Sequence, residues 1–213
     1  METLGESCRL WRLGSGVSPA NSARVHRLYR QVERARLAGE IEVRDVVPGY
    51  DSLAIHFDPL STDTAELDRR VGAWLAEVDD NAAEKDESEV GEPVALPLRY
   101  DGPDLARVAE RAGLEIAEVV ERHARPTYTV AAIGFMPHFP YLLGLDPALA
   151  TPRLDAPRVR VPAGSVAIGN DQTGVYPQES PGGWNLIGTT DPALLTALRP
   201  GDRVRFVAEG GVS

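Results

Sequence analysis

Lysine is almost missing from this chain. Lys85 is the only one among 22 basic residues, the rest being arginine. A P-loop needs a Gly-Lys-Ser/Thr run whose lysine reaches the bound phosphates, and no Gly-Lys pair occurs. Lys85 itself lies in an acidic run, which does not suit a Schiff-base lysine. Cysteine is as scarce. Cys8 stands alone, which excludes an internal disulfide and fits a reducing, cytoplasmic compartment. The four histidines, His26, His56, His123 and His138, lack metal-ligand spacing, and there is no Cys-x-x-Cys, so no metal site is expected in this chain. A Gly-x-Ser-x-Gly elbow is missing too, and Gly14-Ser15-Gly16 and Gly182-Gly183 do not match a dinucleotide fingerprint. Positive charge is in deficit: 32 acidic against 22 basic residues give -10, the wrong sign for a nucleic-acid surface. Long apolar runs are absent as well. Met1–Leu13 carries Glu2, Glu6 and Arg9 and has no signal-peptide core, and the most apolar stretch, Val130–Leu145, is broken by Pro137, His138 and Pro140. Neither secretion nor a membrane association is expected.

What is present is an ordinary globular composition, 43% hydrophobic and 25% charged, over 213 residues. That length buries enough surface for one large domain or two small ones without a staple. The pattern predicts an α+β chain of two domains, residues 1–98 and 99–213. Cys8–Leu13 reads as a strand, and Pro19 opens a helix to about Leu37 with Val25, Leu28 and Val32 at helical spacing. Ile41–Val47 and Ser52–Phe57, separated by Pro48-Gly49, read as a hairpin. A second helix spans about Thr62 to Val78, with Ser61 or Thr62 as its cap. With Val94–Leu98 as closing strand, this order makes a small ferredoxin-like unit. Between helix and strand, Asp79–Glu92 holds seven acidic residues and reads as a solvated, mobile loop. His26 and His123 fall on helices, as surface or boundary residues; His56 alternates with Ile55 and Phe57, away from the core.

After Pro103, two short helices around Gly113 read as a helical hairpin, and Glu110, Glu115, Glu118 and Glu121 argue for packing rather than DNA reading. From Pro126 on, Tyr128–Phe135, Arg158–Pro162, Ser165–Ile168, Gly174–Tyr176, Asn185–Thr190 and Arg203–Ala208 read as short strands of a sandwich or closed barrel. Two stretches stand out. Ile133–Leu142 is apolar but broken by glycine and two prolines, so it should leave the barrel and cover something with aromatic rings, either as a plug or as a site wall. His138 is its one group able to titrate near neutral pH. Asn170–Asn185 sets Gln172, Thr173, Tyr176, Ser180 and Trp184 beside Gly182 and Gly183, whose bare backbone lets a ligand approach N–H groups. Such a cluster is how a polar, largely neutral small-molecule site is built. Arg158 and Arg160 are candidates to pair with a carboxylate or phosphate. No residue is selected as a general base.

These stretches resemble a known family. Gly134–Leu142, reading Gly-Phe-Met-Pro-His-Phe-Pro-Tyr-Leu, is similar to the signature of the KipI / allophanate hydrolase subunit 1 family, of carboxyltransferase subdomain C/D type, which includes the B subunit of bacterial 5-oxoprolinase. The likeness continues through Ala150–Arg153, Pro157–Val166, Gln172–Pro177, Ser180–Trp184 and Arg199–Phe206, and more loosely through Tyr50–Pro59. One position departs: the family usually carries glycine where this chain has His138. The resemblance implies a small α/β domain, then the helical hairpin and a cyclophilin-like β-barrel. It also implies a subunit of an ATP-dependent 5-oxoprolinase, inactive alone, with ATP as co-substrate at a site on or shared with partner subunits. The partner would be an allophanate hydrolase subunit 2-type protein, similar to the C subunit of 5-oxoprolinase, joined by a third subunit. In that setting Gln172 and Tyr176 would bind the lactam or its carboxylate, and Trp184 would form an apolar wall. Two readings of other classes stay open. One is a histidine-kinase inhibitor acting by protein binding. The other is a urea carboxylase/allophanate-type carboxyltransferase half, which would take biotin from another protein, since no Met-Lys-Met occurs here.

Overall fold

A computed structural model describes residues 1–80 and 91–210. The expected acidic loop falls largely on 81–90, outside the described residues. The chain divides into two units, Met1–Glu89 and Val90–Ser213.

In the first unit a short strand, β1 (Glu2–Thr3), lies beside β2 (Cys8–Arg12); α1 (Pro19–Leu37), β3 (Asp45–Pro48), β4 (Ser52–His56) and α2 (Thr64–Asp80) follow. The sheet order is β1-β2-β4-β3, antiparallel throughout. Local chemistry sets the start of α1: Ser18 Oγ accepts from the Asn21 N–H, and Pro19 has no N–H to leave unpaired. The second cap differs from expectation. Asp63 accepts from the Ala65 and Glu66 N–H groups, while Thr62 Oγ1 donates to the Glu42 carbonyl, so α2 begins at Thr64. Leu53, Ile55 and Phe57 on one sheet face meet Val25, Leu28 and Val32 of α1 and Leu67, Val71 and Val78 of α2. His26 is buried rather than at the surface. It lies one helical turn from the buried Ser22, and the two widen the covered stripe beyond its apolar residues.

Val94–Leu98 does not close this sheet. It is β5 of the second unit and runs parallel to the last strand, β13 (Arg203–Ala208), from Val94 beside Val204 to Leu98 beside Ala208. The free side of β2 is taken by β1 instead, so the ferredoxin-like closure fails. The alternation that buries Leu96 and Leu98 suits either sheet, and sequence pattern does not choose between them.

After β5 come α3 (Leu105–Ala112), α4 (Ile116–Ala124), β6 (Tyr128–Ile133), β7 (Pro140–Leu143), β8 (Arg158–Val161), β9 (Ser165–Gly169), β10 (Gln172–Val175), β11 (Ser180–Gly182), β12 (Asn185–Thr189) and β13. Seven strands run in the order β12-β9-β10-β7-β6-β13-β5, with β8 and β11 as a separate ribbon. The two ends of the sheet meet where Arg99 bridges Thr189 through bonds of 3.0 and 2.8 Å, giving a nearly closed barrel. Gly113, at φ 67, ends α3 in the left-handed region and turns the chain into α4; Val108, Val119 and Val120 of the pair join the barrel core. The Ile133–Leu142 stretch leaves the sheet only over residues 134–139. Pro140 opens β7, the position in a strand where a missing N–H costs least, and pairs with Ile133.

Candidate functional site

Strands β9 and β10 are buried on both faces. Val166, Ile168 and Val175 enter the barrel core, while Ala167 joins a second cluster with Phe139, Val161, Tyr176, Trp184 and Leu186 on the opposite face. That second face is built by close approach. A Cβ on Gly169 would fall 2.5 Å from the Trp184 ring, and one on Gly174 would fall 3.1 Å from it, so the indole lies directly on the strand backbone. Phe139, delivered by the 134–139 turn, meets Tyr176 edge-on at 5.1 Å and Trp184 at 5.8 Å; Tyr141 meets Trp184 at 5.9 Å. The turn therefore leaves the sheet and lays its Phe139 ring against Tyr176 and Trp184.

Of the expected site residues, the fold brings Gln172, Tyr176, Gly182 and Trp184 to this face. Gln172 sits opposite Gly169 in the ladder and shares its side of the sheet. The Tyr176 hydroxyl occupies the space that a Cβ of Gly182 would need, so this glycine makes room for the phenol. Gly183, next along, is roomy: its nearest neighbours would be 3.7 Å from an added Cβ. Ser180 is half-buried on β11, its Oγ donating to the Pro181 carbonyl. Tyr176 and Trp184 are 2% and 5% exposed, so they back the face rather than line an open cavity. Burial raises the Tyr176 pKa, against the opposing pull of a backbone hydrogen bond from Trp184 and of nearby Arg153 and Arg158. Burial also raises the Tyr141 pKa, again opposed by Arg153.

Thr173 is not part of this face. Alternation turns it into the barrel, where Oγ1 donates to the Ala167 carbonyl (3.0 Å) and meets His123 Nε2 at 3.0 Å. The hydroxyl hydrogen is thereby used, so the His123 ring donates to Thr173, and its Nδ1 accepts from the Tyr100 hydroxyl at 2.9 Å. His123 is wholly buried, not a boundary residue, because α4 packs into the barrel; burial pushes its pKa down to about 3. His138 is exposed, at φ 65. That left-handed backbone is where glycine is at ease, so a glycine at this place, as the resemblance leads one to expect, would sit there without strain.

Neither expected arginine is an uncommitted cation. Arg158 donates to Asp104 at 2.7 Å, and the other Asp104 oxygen accepts the Leu186 N–H at 2.7 Å. Arg160 pairs with Glu179 at 2.5 Å on the surface. A further cation at the aromatic face is Arg153, whose guanidinium carbon lies 5.6 Å from the Trp184 ring centre. Sequence reasoning carries Arg153 only as part of a motif. Its one available signal is its place between the two stretches singled out above.

Residues 1–200 match the family model of the carboxyltransferase domain, subdomain C and D. The B subunit of 5-oxoprolinase from Escherichia coli O157:H7 is 39% identical over 223 residues, covering 97% of this chain and 94% of that protein. That of Bacillus subtilis (strain 168) is 35% identical over 228 residues, covering 97% and 91%. The crystal structure of TTHA0988 is similar at a TM-score of 0.81 and 38% identity, covering 97% of this chain, which spans only 41% of that longer one. Kluyveromyces lactis urea carboxylase shares the fold, at a TM-score of 0.69 and 19% identity over 96% of this chain and 21% of its own. The match across nearly the whole sequence, on a barrel that carries the signature turn, places this chain in the carboxyltransferase subdomain C and D family.

Proposed function

We propose that this chain is the B-type subunit of an ATP-dependent 5-oxoprolinase, which opens 5-oxoproline to glutamate, and that it works with an allophanate hydrolase subunit 2-type partner and a third subunit in the cytoplasm. The observation that carries this reading is 39% identity to the B subunit of a 5-oxoprolinase over 97% of this chain and 94% of the relative. The barrel is read as cyclophilin-like, supported by the nearly closed seven-stranded sheet and the helical hairpin packed into it. A lactam is held by amide resonance, so water attacks it slowly, and phosphorylation of its oxygen would make it a better electrophile. The aromatic face suits a small, flat ring. It does not suit a triphosphate, which needs several cations or a cradle of N–H groups. Arg158 and Arg160 are paired with Asp104 and Glu179, leaving Arg153 as the cation at this face among the described residues. The ATP site is accordingly read as lying on, or shared with, the partner subunits, and this chain's residues as holding and orienting the ring.

Reconstitution tests the reading. The complete complex should release glutamate from 5-oxoproline only with ATP, and this chain alone should release none. No glutamate from the complete complex would refute it.

A further inference from the structure

The segment carrying Arg153 is exposed, yet its backbone is tied down on both sides. Thr151 exchanges hydrogen bonds with Asn170 (2.9 and 2.8 Å), the Pro152 carbonyl accepts from Asn185 Nδ2 at 2.9 Å, and the Leu154 N–H donates to the Gly183 carbonyl at 2.7 Å. Arg153 has no carboxylate partner among the described residues; its guanidinium carbon lies over the Trp184 ring, 5.6 Å from its centre. Both Tyr141 and Tyr176 feel its charge, Tyr176 together with that of Arg158, which Asp104 already pairs, so two phenols, an indole and one guanidinium without a carboxylate partner among the described residues converge there. A guanidinium lying over an indole keeps its in-plane N–H groups for a second, two-pronged contact, and a carboxylate matches that fork.

We propose that Arg153 is the carboxylate anchor of this face, and that the ligand class is a small ring bearing one carboxylate, the ring lying toward Tyr141 and the Gly182-Gly183 edge. The proposal deepens the 5-oxoprolinase reading and, for that particular ligand, rests on it. A single fork suits one carboxylate better than a polyanion. Lysine would not replace it, because an ammonium has neither the fork nor the flat face.

The test is calorimetric titration of the full chain, alone and in its complex. The probes are 5-oxoproline, 2-pyrrolidone (the lactam without the carboxylate) and cyclopentanecarboxylate (the carboxylate without the lactam). Arg153→Ala should weaken both carboxylates by about tenfold or more and leave 2-pyrrolidone unchanged, and Arg153→Lys should recover only part of the loss. Carboxylate binding that is unchanged in Arg153→Ala, or undetectable in the wild-type chain and complex alike, overturns the proposal. The two readings fail separately. Arg153-dependent carboxylate binding without glutamate release sinks the 5-oxoprolinase reading alone. Glutamate release with an unchanged KM for 5-oxoproline in Arg153→Ala sinks the anchor alone.

Discussion

His123 shows how much one side chain's surroundings decide. In the unfolded chain its imidazole takes up a proton near the ordinary value of about 6.5. In the fold, burial holds that value down to about 3, and the ring stays neutral between the Tyr100 and Thr173 hydroxyls. The unfolded state then binds more protons across that interval, so the contribution is full above about pH 6.5 and is lost as pH falls toward 3. The expected slope is about 1.4 kcal/mol per pH unit, readable by urea unfolding between about pH 7 and 4. His123→Gln should flatten it. Thr173→Val should cost about 1–3 kcal/mol at neutral pH, by orphaning the buried ring N–H. None of this is legible in the sequence, where His123 is a polar residue among arginines and glutamates on a short helix. Its inward direction is set by how α4 meets the barrel. Arg153 is hidden for a related reason: having no carboxylate partner among the described residues is a property of a place in space, and the chain offers many arginines to choose from.

At the level of elements, local signals carry furthest. Ser18 and Pro19 mark the start of α1, Gly113 marks the end of α3, and the alternation in Ser52–His56 marks a half-buried strand. What local signals do not carry is partner choice. Sequence pattern assigns β5 to the wrong sheet because pairing with β13 joins residues more than a hundred positions apart. On β10 the alternation is visible, but both faces are buried, so it does not say that Thr173 and Gln172 serve different cores. The Gly182-Gly183 pair is the sharpest instance. Its two members look alike in sequence, yet only the first is pressed against a ring. Gly182→Ala should therefore destabilise the second unit by about 1–3 kcal/mol through displacement of the Tyr176 phenol, and Gly183→Ala by less than about 0.5 kcal/mol. Paired denaturation curves check this, and equal losses would mean that the close approach to Tyr176 is not the cause.

For the molecule as a whole, the two units have separate cores, and the strand that opens the second unit is among the barrel's seven. A fragment beginning at Val90 keeps β5 and should fold cooperatively. One beginning at Arg99, the boundary that composition and order point to, loses Leu96 and Leu98 from the core and exposes one side of β13. Near-ultraviolet circular dichroism and thermal melts of the two fragments distinguish them; a folded shorter fragment would show that β5 is dispensable.

The barrel's circumference is not uniform. Most of it is knitted by strand against strand, but between β5 and β12 the stitching passes to the chain just after β5: Arg99 bridges Thr189, the Asp101 carboxylate accepts from the Thr189 hydroxyl, and Asp104 grips Leu186 through its amide and its side chain. Elsewhere a change of outward side chain leaves the ladder intact. Along this join the Asp101 and Asp104 side chains share the stitching with the backbone, and Gly188 lies so near the Arg99 carbonyl that any larger residue there would pry the staves apart. Whether the hoop is shut is decided at these few positions.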